Sequence, residues 1–159
     1  MTEVSIVELG RGALHQLELW GDPAPTATRI AKALGHALPP AGRAEGDVLR
    51  LSPTSWLVSG DMATLAKALG DGGSLTPVGG GLVQIRLSGP GWRSLLMEGS
   101  LFDAESADFA ADCVATVLID HVTVTLRVES EASCLAYVPA SLADDLLRFW
   151  QISAGGLPL

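Results

Sequence analysis

Twice along these 159 residues the apolar period runs from two to 3.6, back to two and again to 3.6, in the same order. A strand returns a side chain to one face every second residue and a helix every third or fourth. The order therefore predicts an α+β chain made of two similar β-α-β-β-α halves. In the first half, residues 15–20 read as a strand with Leu17 and Leu19 on one face. Asp22 and Pro23 supply an N-cap and a proline at the first helical position. Ala27, Ile30, Ala31, Leu34 and Leu38 keep helical spacing until Pro39 and Pro40 stop it. After a polar loop at 41–47, strands are expected at 48–52 and 56–59 around Pro53-Thr54-Ser55. Asp61 caps a short helix with Met62, Leu65, Ala66 and Leu69 on one face, Gly70 ends it, and Asp71-Gly72-Gly73 makes a turn.

In the second half Val83, Ile85 and Leu87 alternate with Gln84 and Arg86. Ser88-Gly89-Pro90-Gly91 turns the chain into a helix carrying Trp92, Leu95 and Leu96, which Gly99 terminates. Residues 113–118 and 122–128 are expected as a hairpin across Ile119-Asp120-His121, and 133–138 as a further strand. Ser141 and Asp144 stand at capping-box spacing before a helix bearing Leu142, Leu146, Phe149 and Trp150. Hairpins predict a mostly antiparallel sheet with helices on one face. The expected organisation is one domain over 1–159, with pseudo-repeats at about 4–75 and 76–152 and a frayed tail at 153–159. Gln84, Arg86, Thr123, Thr125 and Arg127 leave one sheet face half polar, either wet or docked.

Hydrophobic residues make up 48% of the chain and charged residues 18%. Such a chain has little charge to cover its surface, which fits either a patch covered by a partner or a large ordinary core. With 18 acids against 10 bases the net charge is −8, and Lys32 and Lys67 are the only lysines. Phosphate-binding surfaces need clustered cations, so nucleic acid and anionic membranes are not expected partners. The start Met-Thr-Glu-Val-Ser-Ile lacks a basic segment followed by an apolar one, and no run of 18 apolar residues occurs, so the expected location is the cytoplasm.

Reacting groups are sparse. Cys113 and Cys134 lie 21 residues apart, which is neither a metal nor a redox spacing, and read as free thiols in strands. His15, His36 and His121 are scattered; an Asp120-His121 pair on a tight turn points into water. There is no Gly-x-Ser-x-Gly elbow and no phosphate-binding Gly-Lys loop. Gly79-Gly80-Gly81 precedes a strand rather than a helix, and Ser88–Gly91 reads as an ordinary strand-to-helix turn. No catalytic, cofactor-binding or metal-ligating residue is expected. Four tryptophans stand against three phenylalanines and one tyrosine. Tryptophan serves cores and the centres of interfaces alike.

The order of short motifs resembles a known family. Gln16-Leu17-Glu18-Leu19-Trp20-Gly21-Asp22, the helix into Leu38-Pro39-Pro40, and Leu51-Ser52-Pro53-Thr54-Ser55-Trp56-Leu57-Val58 come first. Ile85-Arg86-Leu87-Ser88-Gly89-Pro90-Gly91, Leu95-Leu96-Met97-Glu98-Gly99-Ser100-Leu101-Phe102-Asp103 and Tyr137-Val138-Pro139-Ala140-Ser141 follow. From about residue 4 to residue 152 the chain resembles the gamma subunit of heterotetrameric sarcosine oxidase. That resemblance implies a fold related to the folate-binding domain of aminomethyltransferases. It also implies a non-catalytic structural subunit, packed chiefly on the alpha subunit beside beta and delta. FAD, FMN, NAD, tetrahydrofolate and zinc would belong to those partners, and the complex would oxidise sarcosine or a related N-methyl amine. Trp20 replaces the family's usual arginine, and Gly99-Ser100 its Gly-Cys pair, which leaves the amine open.

The polar sheet face and the aromatics nominate Arg86, Arg127, Trp56 and Trp92 as docking residues. A second reading is a free-standing folate-binding or one-carbon-transfer protein. It would need a carboxylate and cations, for which Asp120, Arg127 and Arg86 are the candidates.

Overall fold

In a computed structural model residues 3–155 are described, and they divide into two compact units. One is Ala13–Gly79; the other joins Met1–Gly12 to Gly80–Leu159. The elements in chain order are β1 (Ser5–Gly10), β2 (His15–Leu19), α1 (Ala24–Leu34), β3 (Ala44–Glu45), β4 (Val48–Ser52), β5 (Ser55–Val58), α2 (Met62–Leu69) and β6 (Gly73–Pro77). They continue with β7 (Leu82–Ser88), α3 (Trp92–Met97), β8 (Val114–Ile119), β9 (Val122–Ser130), β10 (Ser133–Pro139) and α4 (Ala143–Gly155).

The unit Ala13–Gly79 is a five-stranded antiparallel sheet in the order β3-β4-β5-β2-β6. Chain order β2-α1-β4-β5-α2-β6 with that strand order is a split β-α-β arrangement. Leu17, Leu19, Val48, Trp56 and Val58 point to one face, where Ile30 of α1 and Leu65 and Leu69 of α2 close the core. Helix α1 ends earlier than its periodicity predicts. Gly35 adopts φ 83°, a left-handed conformation that costs glycine little, and its N–H caps Ala31 O. Leu38, expected as the last helical contact, packs on this core from the loop that follows. Asp22 reaches Ala24 N at 3.2 Å, and the N-cap position itself belongs to Pro23.

Helix α2 is capped as the sequence predicts. The Asp61 carboxylate accepts from the backbone N–H of Ala63 and Thr64, and the Thr64 hydroxyl donates to it. The Thr64 hydroxyl, followed by these amides, holds the Asp61 carboxyl below its ordinary value of 3.8. A lowered folded-state pKa adds stability that is present above the unfolded value and is lost as pH falls through the folded one. Asp61→Ala is therefore expected to lower the melting temperature at neutral pH, with the gap to wild type closing as the solution is made more acid than 3.8. Melting curves across that range check it; a gap that does not depend on pH refutes the cap's electrostatic role.

The other unit repeats the plan with one strand borrowed from the chain start. Its sheet runs β8-β9-β10-β7-β1, all antiparallel. Here β1 pairs with β7, occupying the edge that β6 holds in the first unit. The pseudo-repeat boundary expected at 75/76 is thus replaced by units in which residues 5–10 join the second sheet. Val83, Ile85, Leu87, Val122, Val124, Leu126, Val128, Cys134, Ala136 and Val138 form one apolar face. Trp92, Leu95 and Leu96 of α3, with Leu146 and Trp150 of α4, cover it. The hairpin turn is tighter than expected. Ile119 pairs with Val122, leaving Asp120 and His121 at φ 45° and 67°, which is type I′ backbone. Helix α4 extends to Gly155, so 153–155 are helical rather than frayed; 156–159 lie outside the described residues.

Candidate docking surface

The nominated tryptophans are core residues. Trp92 is 1% exposed and its indole N–H donates to Glu131 O at 3.0 Å. Trp56 is 4% exposed, donates to Pro39 O at 3.3 Å, and carries the Arg50 guanidinium 5.0 Å from its ring centre. The reason is register. Strand alternation turns Trp56 with Val58 toward the helices, and Trp92 opens the buried face of α3. Neither is available to a partner. Among the described tryptophans Trp20 is the exposed one, at 56%, just past the end of β2.

Arg86 and Arg127 do share a sheet face, each opposite Leu135 across its own strand pair. Both are engaged within the chain. Arg86 forms a two-pronged pair with Glu129 at 2.8 and 3.0 Å, which raises its already high pKa. Arg127 Nη2 lies 3.2 Å from Asp112 Oδ1. Asp120 sits at the hairpin tip, seven residues from Arg127 along an extended strand, or roughly 23 Å at the usual strand rise. The three candidates for a folate site are therefore not gathered into one.

A residue the sequence reading passed over organises the loop after α3. Arg93 donates through Nη1 to Ala104 O at 2.7 Å and Phe109 O at 2.8 Å. Its guanidinium lies 4.3 Å from the Trp92 ring centre and 5.8 Å from that of Phe109. Phe109 meets Phe102 edge-on at 4.8 Å. Upstream, Gly99 has φ 69°, and a Cβ there would stand 2.8 Å from Phe149 Cζ, so glycine alone fits. Gly99 O accepts from Asp120 N at 3.0 Å, and Ser100 Oγ accepts from Phe102 N at 3.0 Å. On this braced loop Leu101 is fully exposed. Leu118 on the adjoining edge strand is 58% exposed. No sequence signal points to Arg93. Leu101 leaves one: an apolar residue outside any periodic segment.

The remaining polar clefts hold residues with structural work. His36, Asp47, Ser59, Asp61 and Thr64 line one of about 340 Å³ in the first unit. There Asp61 and Thr64 cap α2, and His36 Nδ1 lies 2.8 Å from Ala37 O. Asp120 and His121 are both exposed. Neither cysteine is in a disulfide: Cys134 is a buried thiol whose pKa burial pushes far up, and Cys113 is half-buried just before β8. Among the described residues no group of three His, Cys, Asp or Glu is placed to hold a metal ion, and no helix is long and apolar enough to cross a membrane.

The two antiparallel sheets, each layered with two helices in a split β-α-β plan, define an α+β chain. This fold is found in a solved oxidoreductase assembly. Over 95% of its length, and 83% of the other chain, it superposes with a TM-score of 0.83 on a chain of the heterotetrameric sarcosine oxidase from Corynebacterium sp. U-96, solved with pyrrole 2-carboxylate; identity is 24%. A weaker likeness, TM-score 0.45 at 20% identity over 94% of this chain and 96% of the other, is to the regulatory subunit of aspartate kinase from Thermus thermophilus. No protein-family model matches the sequence, and no curated protein matches it significantly.

Proposed function

We propose that this chain is a non-catalytic structural subunit of a heterotetrameric, sarcosine oxidase-like flavoenzyme. The observation that carries the proposal is the whole-length fold likeness to a chain of such an enzyme. The local chemistry agrees with it: the nominated arginines are spent on internal ion pairs, while large apolar side chains stand exposed at Trp20, Leu101 and Leu118. Exposed apolar surface is what an obligate subunit offers its neighbours. In this reading the alpha subunit is the chief contact, with beta and delta completing the assembly. FAD, FMN, NAD, tetrahydrofolate and zinc reside on those partners. The complex demethylates sarcosine or a related N-methyl amine oxidatively, and the released carbon can pass to tetrahydrofolate. Its place of work is the cytoplasm.

The test is co-purification. The affinity-tagged chain, expressed in its native host, should elute with flavin absorbance and with amine-dependent oxidase activity, and should be colourless and inactive when expressed alone. Elution free of any flavoprotein sinks the proposal.

A further inference from the structure

The groove between the 99–102 loop and the hairpin edge has a chemistry of its own. It encloses about 570 Å³ and is lined by Gly99, Ser100, Leu101, Phe102, Val117 and Leu118. Its two outermost side chains, Leu101 and Leu118, are apolar and exposed, at 106% and 58%. Leaving two leucines in water is unfavourable relative to burying them against apolar surface. They are not exposed through looseness: the Gly99–Asp120 and Ser100–Phe102 hydrogen bonds and the Phe102–Phe109 contact hold the loop. A fixed apolar projection pays little ordering entropy on binding.

Charge selects the occupant. From residue 98 to residue 126 the chain carries six acids, Glu98, Asp103, Glu105, Asp108, Asp112 and Asp120, and no lysine or arginine. Asp112 is paired with Arg127, but Glu98, Asp103 and Asp120, which flank the groove in sequence, are exposed. A second copy of this chain docking here about a two-fold axis would set this acidic rim against itself. A partner with basic residues around an apolar centre would instead meet opposite charge.

We propose that the Leu101–Leu118 groove is the seat of a partner subunit surface that presents an apolar side chain ringed by lysine or arginine. This rests on the subunit reading above and names where, and with what chemistry, the subunit docks. The test uses the full tagged chain and the flavoprotein that co-purifies with it from the native host. Leu101→Asp and Leu118→Asp should each weaken association at least ~10-fold, the loss typical of an interface anchor. Glu98→Lys should weaken it and flatten its dependence on salt. Both leucines are exposed, so the variants should keep wild-type circular dichroism and melting. Wild-type association with unchanged binding by all three variants overturns this proposal and leaves the subunit reading intact. Absence of wild-type association overturns that reading and this proposal with it. Sedimentation that shows a dimer of this chain abolished by Leu101→Asp also overturns it, because the occupant is then a second copy.

Discussion

Replacing Trp92 with alanine is expected to cost about 3–5 kcal/mol of unfolding free energy, the usual range for deleting a buried aromatic. Trp92 is 1% exposed, touches Phe109 at a 6.0 Å ring separation, and uses its indole N–H on Glu131 O. Removing it opens a cavity beneath α3 and orphans that carbonyl. Domains of this size hold only about 5–15 kcal/mol in reserve, so the variant should unfold at much lower urea. Trp92→Phe keeps most of the volume and should recover a large part of the loss. Urea titration followed by circular dichroism decides the matter. An unchanged midpoint in the isolated chain would mean that Trp92 faces outward and that the register of α3 given above is wrong.

Loss of Arg93 is the second large effect. Arg93→Met keeps the aliphatic stem against Trp92 and Phe109 but removes both donors from Ala104 O and Phe109 O. Buried acceptors left unpaired cost about 1–3 kcal/mol each, so a loss of about 2–6 kcal/mol is expected for the two. The loss is also local. Amide hydrogen exchange should quicken across residues 99–110 before it does in β9 or β10, since the loop's anchors are the ones removed. Uniformly faster exchange, or none, would show that the guanidinium is not what braces the loop. Because that loop carries Leu101, the same substitution should also weaken partner binding, by loosening the projection and not by removing a contact.

Much of the fold was legible because alternation was clean where burial was one-sided. Val122, Val124, Leu126 and Val128 are buried in the order their spacing predicts, and α3 packs through Trp92, Leu95 and Leu96. Helix α4 packs through Leu146, Phe149 and Trp150, whereas Leu142, expected on the same face, precedes the helix and is exposed. Strands β1, β3 and β6 were not legible. They lie at sheet edges, two residues long in β3, punctuated by glycine and proline in β6, and with Val7 and Leu9 exposed in β1. An edge strand is paired on one side only and needs little periodic signal. The order of motifs led to the fold, but the burial and pairing of the nominated docking residues were not legible. Sequence pattern cannot tell a tryptophan that seals a core from one that meets a partner, and both Trp56 and Trp92 seal cores. Nor can it foresee that Arg86 will find Glu129 across two strands, 43 residues away. The exposed leucines carry little pattern of their own: Leu101 lies in a loop, and Leu118 is on the outward face of the edge strand β8.

Native mass spectrometry of the assembly recovered with the tagged chain bears most directly on the central claim that this polypeptide contributes contact area to an enzyme whose reacting groups lie elsewhere. The expected spectrum shows the 16.5 kDa chain in fixed ratio with flavin-bearing subunits, and releases it on gentle activation at its bare polypeptide mass. Release of this chain with a coenzyme, folate or metal still attached would contradict the account.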